Sequence, residues 1–178
     1  RAATQLINEE GYLGASVEKI SARLNVTKGA FYHHNENKDE LVVACFERTF
    51  EVMRRAIRQA EAISGSGLQT LTTVAAALVS YQMSGNAPLL RASALTSAPE
   101  SIQPQLLAKF DRISDRFASL ISDGVADGSV RPVDTNIAAQ MLTAMINAAA
   151  ELHHWASDVT PEDTAELYVR PFFEGLLA

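Results

Sequence analysis

Apolar residues recur along this chain at three- and four-residue spacing, interrupted by Gly, Pro and short Ser/Asn clusters, and no stretch alternates apolar and polar residues as a half-buried strand would. The pattern predicts an all-α protein. Ala3, Leu6 and Ile7 share one helical face, and Gly11 stops that helix near Glu10. Ser16 caps a short helix over 17–24, with Glu18 in its first turn and Val17, Ile20 and Leu24 on one side. Asn25-Val26-Thr27 then makes a three-residue turn, and Thr27 caps a third short helix whose inner side is Ala30 and Phe31. Two short helices around a tight turn form a helix-turn-helix.

Asn37 opens a capping box with Glu40 and begins a long helix through Leu41, Cys45, Val52, Ala56 and Ala60 toward Ile63. Ser64-Gly65-Ser66-Gly67 ends it and reads as a flexible boundary between the head with its connecting helix and everything downstream. Further helices are expected at 68–84, 89–97, 104–126, 134–156 and 161–177, with Pro171 interrupting the last near Arg170. The functional division falls earlier. Residues 1–36 read as a helix-turn-helix DNA-binding domain whose first helix lacks its start, because the chain opens at Arg1 inside a helical pattern with no Met or signal core. Residues 37–178 read as an effector-binding and dimerisation domain.

Composition is that of a folded globular protein, 47% hydrophobic and 20% charged. No apolar run spans a bilayer, since Ile137 to Leu152 is broken by Gln140, Thr143, Asn147 and Glu151. The single cysteine, Cys45, sits on an apolar face and reads as a buried thiol, which fits a cytoplasmic protein. A net charge of −6 argues against nucleic acid until it is divided along the chain: residues 1–60 sum to +1 and residues 61–178 to −7. An acidic body thus carries a near-neutral head that tolerates phosphate contacts without demanding them.

The third helix departs from a design for stability alone. A first turn favours acids, yet Lys28 stands there beside Gly29, a residue costing up to about 1 kcal/mol relative to Ala. A hydroxyl, an ammonium and bare backbone N–H groups suit phosphate or a base edge, and Gly29 permits close approach. Tyr32, His33 and His34 follow one turn along, and Lys38 adds a further donor. The alternative is a small helical subdomain with exposed polar residues.

The run Gly11-Tyr12, Ser16-Val17-Glu18-Lys19-Ile20-Ser21-Ala22-Arg23-Leu24, Val26-Thr27-Lys28-Gly29-Ala30-Phe31-Tyr32-His33-His34 and Asn37-Lys38-Asp39-Glu40-Leu41 resembles the TetR family of regulators in residue type and spacing. The resemblance implies that Ser16 and Thr27 touch backbone phosphates and that Lys28, Gly29 and Ala30 face the major groove. It also implies that Tyr32, His33 and Lys38 clamp the flanking backbone. Asn35 stands where the family usually has Phe, and Asn25 where Gly is common; Asn accepts the left-handed conformation at such positions.

In the helix expected at 134–156, Asn136, Gln140, Thr143, Asn147 and Glu151 form one narrow polar stripe. The rest of the circumference is Ala, Ile, Leu and Met, more apolar surface than one core uses. A second copy of the chain, packed through this helix and the one at 161–177, accounts for it, with Ala138, Ala139 and Ala148 to Ala150 allowing close approach; a wholly internal helix in a monomer is the alternative. Tyr81, Met83, Phe110, Phe117, Met141, Met145 and Trp155 are candidates to line an effector cavity, although such residues usually just pack. His153 and His154 beside Glu151 do not make a metal site, because adjacent helical residues point about 100° apart.

The motifs of hydrolases, nucleotide-binding loops, paired-cysteine metal sites and zinc proteases do not occur. The expected protein is therefore no enzyme and needs no cofactor. It is a ligand-responsive transcription regulator, a repressor, that binds double-stranded operator DNA as a homodimer and is released by a small-molecule effector. The rival reading is a helical ligand-carrying or protein-interaction module without DNA binding.

Overall fold

The computed structural model describes residues 1–34, 37–84, 88–91, 93–96, 98–156, 158–160, 163 and 165–175. Two compact units divide the chain, Arg1–Glu51 with Asn86–Phe110 and Val52–Gly85 with Asp111–Ala178. Among the described residues every regular element is helical.

In the first unit, α1 (Ala2–Gly14) buries Ala3, Leu6 and Ile7 and bends at Gly11, where φ is +72° and only glycine is at ease. A last turn, Gly11–Gly14, follows the bend, so the expected stop becomes a kink. Ser16 caps α2 (Val17–Leu24), its hydroxyl accepting from Lys19 N at 3.3 Å. Asn25 closes α2 in the left-handed conformation (φ 54°, ψ 43°), with Val26 N donating to Ser21 O at 3.0 Å. The Thr27 hydroxyl accepts from Ala30 N at 3.1 Å and starts α3 (Lys28–His34). Ile20, Phe31, Val42, Phe46 and Phe50 fill the core beneath the three head helices, the last two rings stacked 6.1 Å apart. Asn35 lies outside the described residues.

The long helix α4 (Lys38–Glu61) begins where expected, with Asn37 Oδ1 accepting from Glu40 N at 2.9 Å. Among the described residues, the segment expected as a helix over 89–97 is helical only at α6 (Ser93–Thr96). Side chains from other helices take its main-chain groups instead. Thr49 Oγ1 accepts from Leu90 N at 2.9 Å, Asn8 Oδ1 accepts from Arg91 N at 3.0 Å, and Asn8 Nδ2 donates to Leu89 O at 2.9 Å. These bonds hold the backbone of 89–91 to side chains of α1 and α4.

In the second unit, α5 (Gly67–Met83) opens with a capping box between Ser66 and Gln69. The Ser64–Gly67 boundary is exposed at Ser64 and Gly65 and packed at its end. Gly67 is buried, its N donates to Asp127 Oδ2 at 2.6 Å, and a Cβ added there would meet Gly124 N at 2.3 Å. Gly67 thus allows a close approach of the start of α5 to α7 (Gln103–Ala126), which Gly128 terminates at φ +79°. Leu71, Leu78, Phe117, Ile121, Leu142 and Ile146 form the core.

The helix expected at 134–156 breaks into α8 (Thr135–Ala148), a 3₁₀ turn at Ala149–Glu151 and α9 (Leu152–Trp155). At the C-terminal end a π-helical turn, Ala165–Val169, passes into α10 (Arg170–Glu174), with Pro171 in its first turn. Proline has no N–H to give and crowds the carbonyl four residues back, so the disruption expected near Arg170 takes this form.

Candidate nucleic-acid interface

From Ala22 to Ala30 every residue is solvent-exposed, and Phe31 is the one buried side chain between there and His33. The end of α2, the turn and the front of α3 are therefore presented as one outward surface. Phe31 anchors α3 from below, and its ring meets that of Tyr32 edge-on at 5.3 Å. Tyr32 itself is 53% exposed.

Thr27, Lys28, Gly29, Ala30, Tyr32 and His33 all lie on this exposed stretch; a Cβ at Gly29 would meet nothing nearer than the Thr27 hydroxyl at 3.8 Å. Ser16 is half-buried at the start of α2. Lys38 stands apart: its Nζ donates to Tyr12 O at 2.6 Å and sits 3.8 Å from the Tyr12 ring centroid. Burial there lowers the Lys38 pKa from its ordinary value.

Ion pairs order the surface. Arg23 reaches Glu9 at 2.7 Å and Lys19 reaches Glu10 at 2.5 Å, tying α2 to α1. Lys28 pairs with Glu18, so the ammonium expected to face DNA meets a carboxylate of the preceding helix, and this pairing holds the Glu18 pKa down at about 2. Sequence spacing gives no hint of that partnership, because the two residues sit on different helices ten positions apart. The turn brings them together.

The effector-cavity candidates differ in burial. Phe117 is fully buried in the second unit's core, Tyr81, Met83 and Met145 are half-buried there, and Phe110 belongs to the first unit. Met141 is 57% exposed and lines an open groove with Ile137, Val133, Arg131 and Phe172. The Trp155 side chain lies outside the described residues.

The polar stripe of α8 also departs from expectation in one place. Thr143 is buried, its hydroxyl donating to Ala139 O at 2.9 Å, whereas Asn136 and Gln140 are exposed. Ala138, Ala139, Leu142, Ile146 and Ala149 face the unit's own core, leaving Ile137, Met141, Ala144 and Ala148 as a separate outward face.

A capped two-helix motif with an exposed second helix, ahead of an all-helical body, defines a helix-turn-helix regulator. Residues 1–45 match the family described as bacterial regulatory proteins, tetR family, and residues 64–176 match the tetracyclin repressor-like C-terminal domain. The chain belongs to the TetR family of bacterial regulatory proteins. The Transposon Tn10 TetC protein of Escherichia coli is 49% identical over 43 residues, 24% of this chain and 22% of that protein. The HTH-type transcriptional repressor DhaR of Mycobacterium sp. (strain GP1) is 29% identical over 131 residues, 72% of this chain and 66% of that protein. The matches thus span about a fifth and about two thirds of these relatives. In fold the chain is similar to AibR, solved in complex with isovaleryl coenzyme A and operator DNA: TM-score 0.78, 21% identity, 94% of this chain and 92% of that one. No described helix is long and apolar enough to cross a membrane.

Proposed function

We propose that this chain is a cytoplasmic repressor that acts without catalysis. It binds operator DNA as a homodimer and is released by a small-molecule effector. The observation that carries this reading is the uninterrupted exposed surface from Ala22 to Ala30 on a capped helix-turn-helix. Residues 1–36 act as the DNA-binding head and residues 37–178 as the effector-binding and dimerisation body. Lys28, Gly29 and Ala30 enter the major groove, Ser16 and Thr27 meet phosphates on one side of it, and Tyr32, His33 and Lys38 meet the flanking backbone. Lys28 must exchange Glu18 for DNA as it binds. Two heads read half-sites in successive major grooves, roughly 34–36 Å apart.

The outward face of α8, where Ile137 is 60% and Met141 57% exposed, supports pairing of two copies through α8 and the 161–177 segment. That AibR holds both an acyl-thioester ligand and operator DNA supports a body that takes a small molecule while the head takes DNA. The test is duplex DNA binding by the purified protein at several salt concentrations. The logarithm of affinity should fall linearly with the logarithm of salt concentration, and Lys28→Ala should weaken binding with the thermal midpoint unchanged. A protein that binds no duplex DNA at low salt would leave a helical ligand-binding module as the reading.

A further inference from the structure

The Gly11 kink leaves Tyr12 in an unusual position. The turn Gly11–Gly14 is a short helical end whose Gly11 carbonyl accepts from Ala15 N at 3.1 Å, while Ser16 N turns to Gly14 O at 3.0 Å. Ser16 N would be the ordinary helical partner of the Tyr12 carbonyl. That oxygen, at the negative end of the turn, instead accepts from Lys38 Nζ at 2.6 Å. The same ammonium sits 3.8 Å from the centroid of the Tyr12 ring, and the Tyr12 hydroxyl donates to Asp39 Oδ1, the residue next to Lys38. One residue of α1 thus holds Lys38 twice and is itself held by Asp39.

We infer that Tyr12 is a positioning residue for DNA binding: its carbonyl and ring fix the Lys38 ammonium at the start of α4, so that the charge meets a DNA phosphate already ordered. A lysine side chain carries large rotamer freedom, and holding it before association removes that loss from the binding step. The carbonyl takes one of the three N–H groups of the ammonium and the ring face engages the charge, which leaves donor capacity for an anion. This inference rests on the proposed phosphate contact of Lys38, and its failure is separable from the failure of that contact.

The experiment is a double-substitution cycle on the full chain, read as affinity for mixed-sequence duplex DNA across a salt series. Lys38→Met should lower the magnitude of the log–log salt slope by about 0.9 for each lysine lost. Tyr12→Leu should weaken binding about two- to tenfold when Lys38 is present and leave it unchanged when Lys38→Met is already in place. Tyr12→Phe, which keeps the ring, should restore most of the affinity, the main-chain carbonyl being present in every variant. Pentafluorophenylalanine at position 12 keeps the volume but drains the ring's negative face; it should behave like Tyr12→Leu, and it serves if that variant does not fold. An unchanged slope in Lys38→Met overturns the phosphate contact and the inference with it. A normal Lys38→Met effect, with the position-12 variants losing the same factor in both backgrounds, overturns only the positioning role.

Discussion

At Thr49 one buried hydroxyl serves two elements, donating to Cys45 O at 3.1 Å and accepting from Leu90 N at 2.9 Å. Val has nearly the same shape but cannot accept, so Thr49→Val leaves the Leu90 N–H buried and unbonded and should destabilise the protein by about 1–3 kcal/mol in urea unfolding. Lys28 presents the opposite case. Its pair with Glu18 is more than half exposed on both sides, so Lys28→Ala should reduce DNA affinity while moving the unfolding midpoint little. Tyr32→Phe removes a single exposed hydroxyl and should behave the same way, checked by DNA titration beside a thermal melt. Tyr12 adds a pH dependence. Burial, followed by the hydrogen bond to Asp39, pushes its pKa up from 10 to about 12. The folded form therefore holds the proton more tightly than the unfolded chain, so the contribution is complete below pH 10 and is lost as pH rises through about 12. Stability measured across that window should fall less steeply in Tyr12→Phe; an identical alkaline limb would show that Tyr12 is not the group responsible.

Gly67 and Gly124 decide how two helices of the second unit meet. A Cβ at Gly67 would collide with Gly124 backbone at 2.3 Å and 2.4 Å, whereas a Cβ at Gly124 would first meet a Val130 side-chain methyl at 2.6 Å. Backbone can yield only by moving a helix, and a side chain can rotate. Gly67→Ala should therefore destabilise by about 1–3 kcal/mol or more and Gly124→Ala by less, measured as urea midpoints at constant m-value. The head elements were legible in the sequence because their signals are local: the Ser16, Thr27 and Asn37 caps, the Gly11 break and the left-handed Asn25 each act within a few residues. The 89–97 segment was not, because the Asn8 and Thr49 side chains that claim its backbone lie some 40 to 80 positions earlier in the chain.

For the whole molecule, the consequence concerns assembly and coupling. Ile137 and Met141 lie on the outward face of α8, clear of the unit's own core, so Met141→Glu should leave the fold intact and shift the mass in solution from dimer to monomer, read by sedimentation velocity. A wild-type monomer at micromolar concentration would remove the basis for this pairing. Coupling obeys linkage: an effector that weakens operator binding by some factor must itself bind more weakly by that factor when operator is present, typically about 1–3 kcal/mol. The continuous 24-residue α4 supplies residues to both compact units and is the element through which such coupling is proposed to pass.

By itself the sequence determined the helical class, the helix-turn-helix with its caps, and the excess apolar surface on the helix around 134–156. Periodicity, capping chemistry and turn residues are properties of neighbours along the chain, and they survive whatever the fold does around them. Only the tertiary structure decided that Gly67, at the end of the Ser64–Gly67 boundary, is a packed contact, since small residues look alike whether they are mobile or crowded by a facing backbone. The same holds for the inward turn of Thr143 and Ala149 and the outward turn of Ile137 and Met141, because a helix apolar on two sides does not say which side meets its own core. It holds for the partners of Lys28 and Lys38 as well. Charges on separate helices find one another only through the turns and kinks that bring them within reach, and no spacing rule along the chain records that distance.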